Sequence, residues 1–429
     1  MSPDDVVTRH ERRNLSVLAV QNVVLRIGWI FKTESVIMPA FMDAISGAGW
    51  LRGLLPILSR LGQSVPPLLF SDWMRTRPLK KTILVLTALQ MAWPFLLLSL
   101  LWWQLEDRRQ WWMPVLFLVL YFYFFSATGL NQLAFGTLQG KLIRPNRRGL
   151  LLGIGGIVGS LGAVTAALGF LRPWLMLPNQ DGFTQVFLFN GGAFLIAGCV
   201  ALFCTETRDD DGTARPFHLT KPFQEAWKTY RTDRAFRRAA RVAMLFITSF
   251  LLFPHYQWLG REQLGTSSAD LIIWVVAQNI SVGILSPILG WVADQFGNRL
   301  AIRIAVFASA ATPLIAMSFV NGLSPLTPGW YWLTFVFLGL VPVTMKAILN
   351  YTLELVETPD HPRYQSTMSL CFAIPFLFSP FVGLAIDRLP FEIPFVVVSG
   401  LIMVGGILTF WMSEPRDSLE LAEKTESVV

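Results

Sequence analysis

The sequence predicts an all-α polytopic membrane protein with twelve transmembrane helices in two pseudo-symmetric six-helix bundles. Three observations carry that prediction. Of the 429 residues, 53% are hydrophobic and only 15% are charged, with a mean hydropathy of +0.50. No water-soluble domain of this length needs so much apolar surface, whereas a chain that crosses a bilayer repeatedly does. The apolar residues also fall into about twelve runs, each near the ~20 residues that a bilayer core requires. Finally, the basic residues gather in short connections at alternate ends of those runs, as the positive-inside rule describes.

Taken in order, Met1 to Asn14 is polar and mixed in charge. The first apolar run is too long for a signal peptide and is read as a retained span. Spans are expected near Leu15–Met38, Trp50–Phe70, Thr82–Trp103, Trp112–Leu138, Leu150–Leu171 and Phe183–Cys204. A second set follows near Val242–Leu259, Leu271–Val292, Ala301–Val320, Trp330–Leu355, Thr367–Ile386 and Phe391–Met412. The chain thus divides into an N-terminal segment 1–14, a bundle 15–204, a linker 205–241, a bundle 242–412 and a tail 413–429. The tail carries Glu414, Asp417, Glu420, Glu423 and Glu426 with little to bury, and is expected to be disordered.

Orientation follows from the loops. Arg9, Arg12 and Arg13 precede the first span, Arg75, Arg77, Lys80 and Lys81 follow the second, and Lys141, Arg144, Arg147 and Arg148 follow the fourth. Arg299, Arg303 and Arg363 continue the series on the same side, which places both termini in the cytoplasm. The opposite loops hold fewer basic residues (Arg108, Arg109, Arg172, Arg261, Arg388) and most of the clustered tryptophans. The net charge of +7 is therefore explained by membrane topology, and no nucleic-acid partner is predicted. Cys199, Cys204 and Cys371 show neither metal-ligand nor disulfide spacing and are read as packing residues.

The linker opens on an acidic tip, Asp209 to Asp211. Beyond Pro222, the aromatic residues Phe223, Trp227 and Tyr230 recur at helical spacing among Lys221, Lys228, Arg231, Arg234, Arg237 and Arg238. That pattern predicts a surface helix lying on anionic lipid.

Gly290-Trp-Val-Ala-Asp294-Gln-Phe-Gly297-Asn-Arg299 lies between the eighth and ninth runs. Gly290 would admit a close helix neighbour, Asp294 would pair with a basic group or cap a helix, and Gly297 would permit a tight turn. The stretch resembles the loop signature of the major facilitator superfamily, G-x-L-A-D-R-x-G-R-R. A second copy, Asp72-Trp-Met-Arg-Thr-Arg77, has Leu68 and Arg75 where the signature has glycine. Asp72 and Asp294 are about 220 residues apart, as are Pro94 and Pro313. The resemblance implies two six-helix bundles, helices 1, 4, 7 and 10 around a central cavity, and Asp72, Asp294 and Arg299 as parts of a gate. On the fifth span, Gly153, Gly155, Gly156, Gly159 and Gly162 allow close helix contact. They differ from the family's antiporter signature, since Ser160 holds the proline position.

Several charges fall within the expected spans. Arg26 and Arg60 lie about twelve residues from their cytoplasmic ends, roughly 18 Å deep, and Lys346 is at similar depth. Each costs about 2.5–3.5 kcal/mol at mid-membrane unless it faces water, a counter-ion or a ligand. Lys32 and Glu34 sit further out on span one, while Asn22, Arg26 and Thr33 share one face of it. Arg26, Arg60, Lys346, Lys32 and Asn22 are the candidate substrate contacts, and their positive charge selects an organic anion such as a carboxylate or phosphate ester. Glu34, His255 and Glu354 are the candidate proton carriers. Arg26 and Arg60 as plain interhelical ties, and Glu34 as plain counter-ion to Lys32 or Arg60, stand beside those roles. Asn131, Gln132, Gln278, Asn279 and Asn350 read more readily as interhelical glue.

Walker motif, nucleophile elbow and metal cluster are all missing from the sequence. The prediction is therefore a secondary transporter in the plasma membrane (bacterial inner membrane), with no catalytic residue, metal or cofactor. It would be monomeric, and protons are the coupling ion for which carriers exist. A membrane receptor, assembly factor or scaffold that keeps the fold without transporting is the alternative.

Overall fold

The computed structural model describes residues 3–105, 110–177, 181–208, 220–267, 270–356 and 360–414. All of its regular structure is helical among these residues, and ten stretches are long and apolar enough to cross a membrane. The segments before Lys80, which carry the charges discussed below, are not among the ten. The tip Asp209–Asp211, Arg108, Arg109 and the tail beyond Glu414 lie outside the described residues. So do the side chains of Arg9, Asp72, Arg75, Arg148 and Lys221.

The chain forms two compact units, 1–217 with 266–276, and 218–265 with 277–429. The first contains α1 (Pro3–Ile30), α2 (Ile37–Ile45), α3 (Gly49–Thr76), α4 (Lys80–Gln104), α5 (Met113–Leu142), α6 (Pro145–Ala166), α7 (Arg172–Leu175) and α8 (Gly182–Ala201). A π-helical turn over Ala167–Leu171 joins α6 to α7. In this unit α4 packs on α5 and α8, α3 on α5, and α1 between α6 and α8. Its core is strongly aromatic: Phe41 meets the rings of Trp102, Phe117, Phe183 and Phe187 at 4.7–5.1 Å between centroids.

The second unit opens on the linker helix α9 (Lys221–Thr232), followed by α10 (Arg234–Ile247) and α11 (Phe253–Leu264). Then come α12 (Asp270–Phe296), whose residues from Ala277 on belong to this unit, α13 (Asn298–Val320), α14 (Trp332–Leu338), α15 (Leu340–Glu354), α16 (His361–Ala373), α17 (Ser379–Arg388) and α18 (Glu392–Leu408). Here α13 packs on α15 and α18, and α10 on α18.

Small residues set the closest approaches. On α6, a Cβ at Gly155 would lie 2.6 Å from the Asn22 amide oxygen, one at Gly159 2.9 Å from Arg26 Cδ, and one at Gly162 2.9 Å from Ile27. These three positions form one helical face and let α1 settle into it. Gly153 and Gly156, on other faces, meet nothing within 4 Å. Gly290 likewise meets nothing, so the close neighbour expected there is absent among the described residues. The tight contact on α12 is instead at Ser281, whose Oγ would lie 2.5 Å from a Cβ at Gly339.

The first expected span is not continuous. Helix α1 stops at Ile30 and residues 31–36 are non-helical before α2 resumes at Ile37. Pro39 explains the break, because its ring excludes the carbonyl four residues back and it has no N–H, so it is tolerated only in the first turn of α2. The Thr33 hydroxyl then accepts from the Ile37 N–H at 3.1 Å, replacing a lost helical partner.

Candidate functional site

The break in the first span is where charge accumulates. Lys32 is fully buried there, its Nζ 3.2 Å from the Trp29 ring centroid, 4.2 Å from that of Phe125 and 5.3 Å from that of Phe124. Three aromatic faces around a desolvated ammonium contribute about 2 kcal/mol or more. The Glu34 carboxylate completes the enclosure, 3.3 Å from Nζ and 27% exposed. Trp29 lies one helical turn before Lys32, while Phe124 and Phe125 come from α5. An unwound segment is what allows Lys32 and Glu34, two residues apart, to face each other; in an α-helix they would diverge.

Arg60 on α3 joins this group through the field of Glu34, which also acts on the Tyr121 hydroxyl of α5. Close packing of α3 on α5 fixes the arrangement. A Cβ at Gly62 would lie 2.8 Å from Phe125 Cβ, and one at Gly129 2.6 Å from the Gln63 carbonyl. Lys32 and Glu34 thus form an ion pair within the aromatic core of the first unit, with Arg60 and Tyr121 near enough to feel the Glu34 charge.

Asn22 and Arg26 belong elsewhere. Both lie against α6, and Arg26 Nε donates to Ser160 Oγ at 2.9 Å while its stem lies over Gly159. Thr33, placed with them by periodicity, sits in the non-helical segment instead. In the second unit Lys346 and Asn350 are exposed one turn apart on α15. His255 and Gln257 on α11 are wholly buried, and Tyr331 donates to the Tyr256 carbonyl at 2.8 Å. Glu354 accepts from Asn298 Nδ2 at 2.8 Å. Asn131 is interhelical glue, donating to the Leu84 carbonyl and to Thr87 Oγ1 on α4.

The gate candidates lead to a pair of carboxylates that the sequence reading did not single out. Asp294 is exposed at the end of α12. Arg299 instead reaches past the last span: its NH1 donates to the Met412 carbonyl at 3.2 Å and its Nε lies 3.6 Å from Glu414. Gly297, at φ +87°, makes the turn, and a Cβ there would lie 2.7 Å from the Glu414 carboxylate. Tyr351 donates to the Ser413 carbonyl at 2.7 Å, so the first two residues of the expected disordered tail are held. The first unit repeats the design. Glu206, fully buried just after α8, accepts from the Lys80 and Lys81 amides at 2.9 and 2.8 Å and from Lys141 Nζ at 2.8 Å. It satisfies the orphan donors at the start of α4 and complements that helix's dipole. In both units a glutamate after the sixth span braces the start of the third. Its sequence signal was a carboxylate a fixed step beyond each final apolar run.

A buried ion pair was also missed. Arg52, 1% exposed, pairs with Asp43 across the α2–α3 turn. Both residues sit at span edges, where a charge looks like ordinary loop chemistry.

A family model described as Major Facilitator Superfamily matches residues 243–428. That match takes in the second half of the chain, and the fold of solved transporters extends the likeness to the first. Solved structures of this fold align over nearly the whole chain. A POT family transporter in complex with 5-aminolevulinic acid covers 94% of this chain and 96% of its own, at 12% identity and a TM-score of 0.71. A variant of the nucleoside transporter NupG covers 94% and 100%, at 12% identity and 0.70. A bacterial homologue of the human lysosomal transporter Spinster covers 96% and 98%, at 14% identity and 0.66. No curated protein matches the sequence. At these identities the likeness is one of fold, and any chemistry in this chain must be argued from its own side chains.

Proposed function

We propose that this chain is a secondary active transporter of the major facilitator superfamily that moves a small organic anion across the plasma membrane by alternating access. The cluster at the break in the first span carries that reading. Lys32, Glu34 and Arg60 sum to a positive charge, and Arg26 on the same span adds another. Unwound backbone inside a spanning helix is costly unless it serves a site. Arg60 is the leading contact for a carboxylate or phosphate group, since a guanidinium fork matches both. Arg26, Asn22 and Lys346 are secondary contacts. Glu34 is the leading proton carrier, because a carboxylate beside Lys32 and Arg60 can exchange a proton as an anion arrives and leaves. His255 and Glu354 rank behind it. The protein works as a monomer with both termini in the cytoplasm, and Asp72, Asp294 and Arg299 belong to its cytoplasmic gate.

The test is uptake into proteoliposomes of a panel of radiolabelled carboxylates and sugar phosphates, with and without a proton gradient. The wild type should accumulate at least one member. Arg60→Ala should lower that uptake about 10- to 100-fold, as expected for a lost charge-assisted bond of about 1.5–3 kcal/mol. Full uptake by Arg60→Ala would remove the site from this cluster. No accumulation of any member under any gradient would favour the non-transporting alternative.

A further inference from the structure

We propose that the linker helix and the arginine stripe beside it form a binding surface for anionic phospholipid headgroups. Its parts are exposed and lie within the second unit. On α9, Phe223, Trp227 and Arg231 follow one another at four-residue steps and are all exposed, with Phe223 at 44% and Trp227 at 56%. The opposite side of α9 is used for anchoring. Thr229 is fully buried and accepts from Arg363 Nε at 2.8 Å, and Tyr364 donates to Asp233 at 2.7 Å. The aromatic stripe is therefore the face left outward after docking, not a disordered excursion. Arg231 lies over the Trp227 ring at 4.7 Å, which holds a cation at the edge of an amphipathic aromatic.

Asp233 ends α9 and caps α10, accepting from the Phe236 N–H at 3.0 Å. Along α10, Arg234, Arg238 and Arg241 are exposed at steps of four and three, while Phe236, Ala240 and Ala243 are buried behind them. This stripe occupies the first two turns of a helix apolar enough to span the bilayer. Arg238 fixes its height, donating to the Trp411 carbonyl at the end of the last spanning helix at 3.1 Å. Trp411 is itself 59% exposed. The arginines thus stand at the level where a spanning helix leaves the hydrocarbon, flanked by the exposed Trp227 and Trp411. Cations and tryptophans at that level match a layer of lipid phosphates above acyl chains.

The experiment uses the full-length protein in phosphatidylcholine bilayers and measures the association of spin-labelled phosphatidylglycerol relative to spin-labelled phosphatidylcholine. The wild type should favour phosphatidylglycerol. Arg234→Gln with Arg241→Gln should lower that preference up to about 25-fold, at about fivefold per arginine near the surface. Raising the salt should erase the same increment. Trp227→Gln, which removes no charge, should weaken association of both lipids. The helical content of each variant by circular dichroism should equal that of the wild type. An unchanged preference in the arginine variant would overturn the proposal. So would equal relief of the preference by millimolar glycerol phosphate, which would mark a soluble phosphate ester as the ligand.

Discussion

In the first half, the opening span leaves helix over residues 31–36 and carries Lys32 and Glu34 through the gap; in the second half, it only tightens into a 3-10 turn over Thr248–Leu252 and carries buried His255 and Gln257 just beyond. A proline governs both interruptions. Pro39 lies in the first turn of α2 and Pro254 in the first turn of α11, the positions where proline is tolerated. The device is shared but the chemistry is not. The ends of the two halves show the opposite relation, since Glu206 and Glu414 follow the last span of each and brace the start of the third. Shared braces beside divergent mid-span chemistry separate what the duplicated scaffold needs from what one half does.

The largest effect that would sharpen this contrast lies at Lys32. Glu34→Gln leaves a fully buried ammonium with aromatic faces but no counter-charge, at an expected cost of about 3 kcal/mol. Replacing both partners, Lys32→Met with Glu34→Gln, should recover most of that stability, because the neutral pair leaves no uncompensated buried charge. Transport should stay lost in both. The corresponding change in the second half, His255→Gln, should cost about 1 kcal/mol. Melting temperatures of the purified variants measure the contrast. Equal losses at Glu34 and His255 would dissolve it.

The braces offer an intermediate effect in both halves. Glu206→Ala strands two amide donors and Lys141, and should cost about 2–3 kcal/mol. Glu414→Ala breaks a longer contact to a partly exposed arginine, and should cost about 1 kcal/mol. Both should lower the melting temperature, in that order. A neutral result at Glu206 would mean that the repeated geometry does not support α4.

Hydropathy made the ten spans from Lys80 onward legible, because a bilayer imposes length and polarity on each crossing independently of its neighbours. The glycine face of α6 was legible as a packing surface but not by register; only the positions facing Asn22, Arg26 and Ile27 count. Gly290 failed for the same reason, since a small residue permits approach without supplying a neighbour. Arg26, Lys32, Glu34 and Arg60 stood out as charges in apolar runs, yet periodicity grouped Asn22, Arg26 and Thr33, because it assumed a helix that Pro39 had already broken. Glu206 and Glu414 showed in the sequence only as a carboxylate beyond each final apolar run. Their partners are backbone amides and residues far away in sequence, to which no local pattern points.

The smallest expected effect is a pH dependence at the start of the chain. The Glu11 carboxylate, 1% exposed, receives the Arg144 backbone N–H at 3.1 Å and its Nη2 at 2.6 Å, and Arg147 stands 3.5 Å away. The bond from the Arg144 side chain, outweighing burial, holds this carboxyl below its ordinary value of 4.5. An acid whose folded value is depressed stabilises the fold fully above its unfolded value and loses that contribution as pH falls through the folded one. The melting temperature should therefore drop below pH 4.5, and Glu11→Gln should flatten that drop while lowering the melting temperature at neutral pH. Arg144 is 44% exposed, so solvent screens the pair and the change stays below those at Lys32 and Glu206. Uptake at neutral pH should not change, because this tie joins α1 to α6 toward their N-terminal ends, away from the break at residues 31–36. A Glu11→Gln variant with wild-type stability but lost uptake would move function out of the mid-span cluster and into the brace.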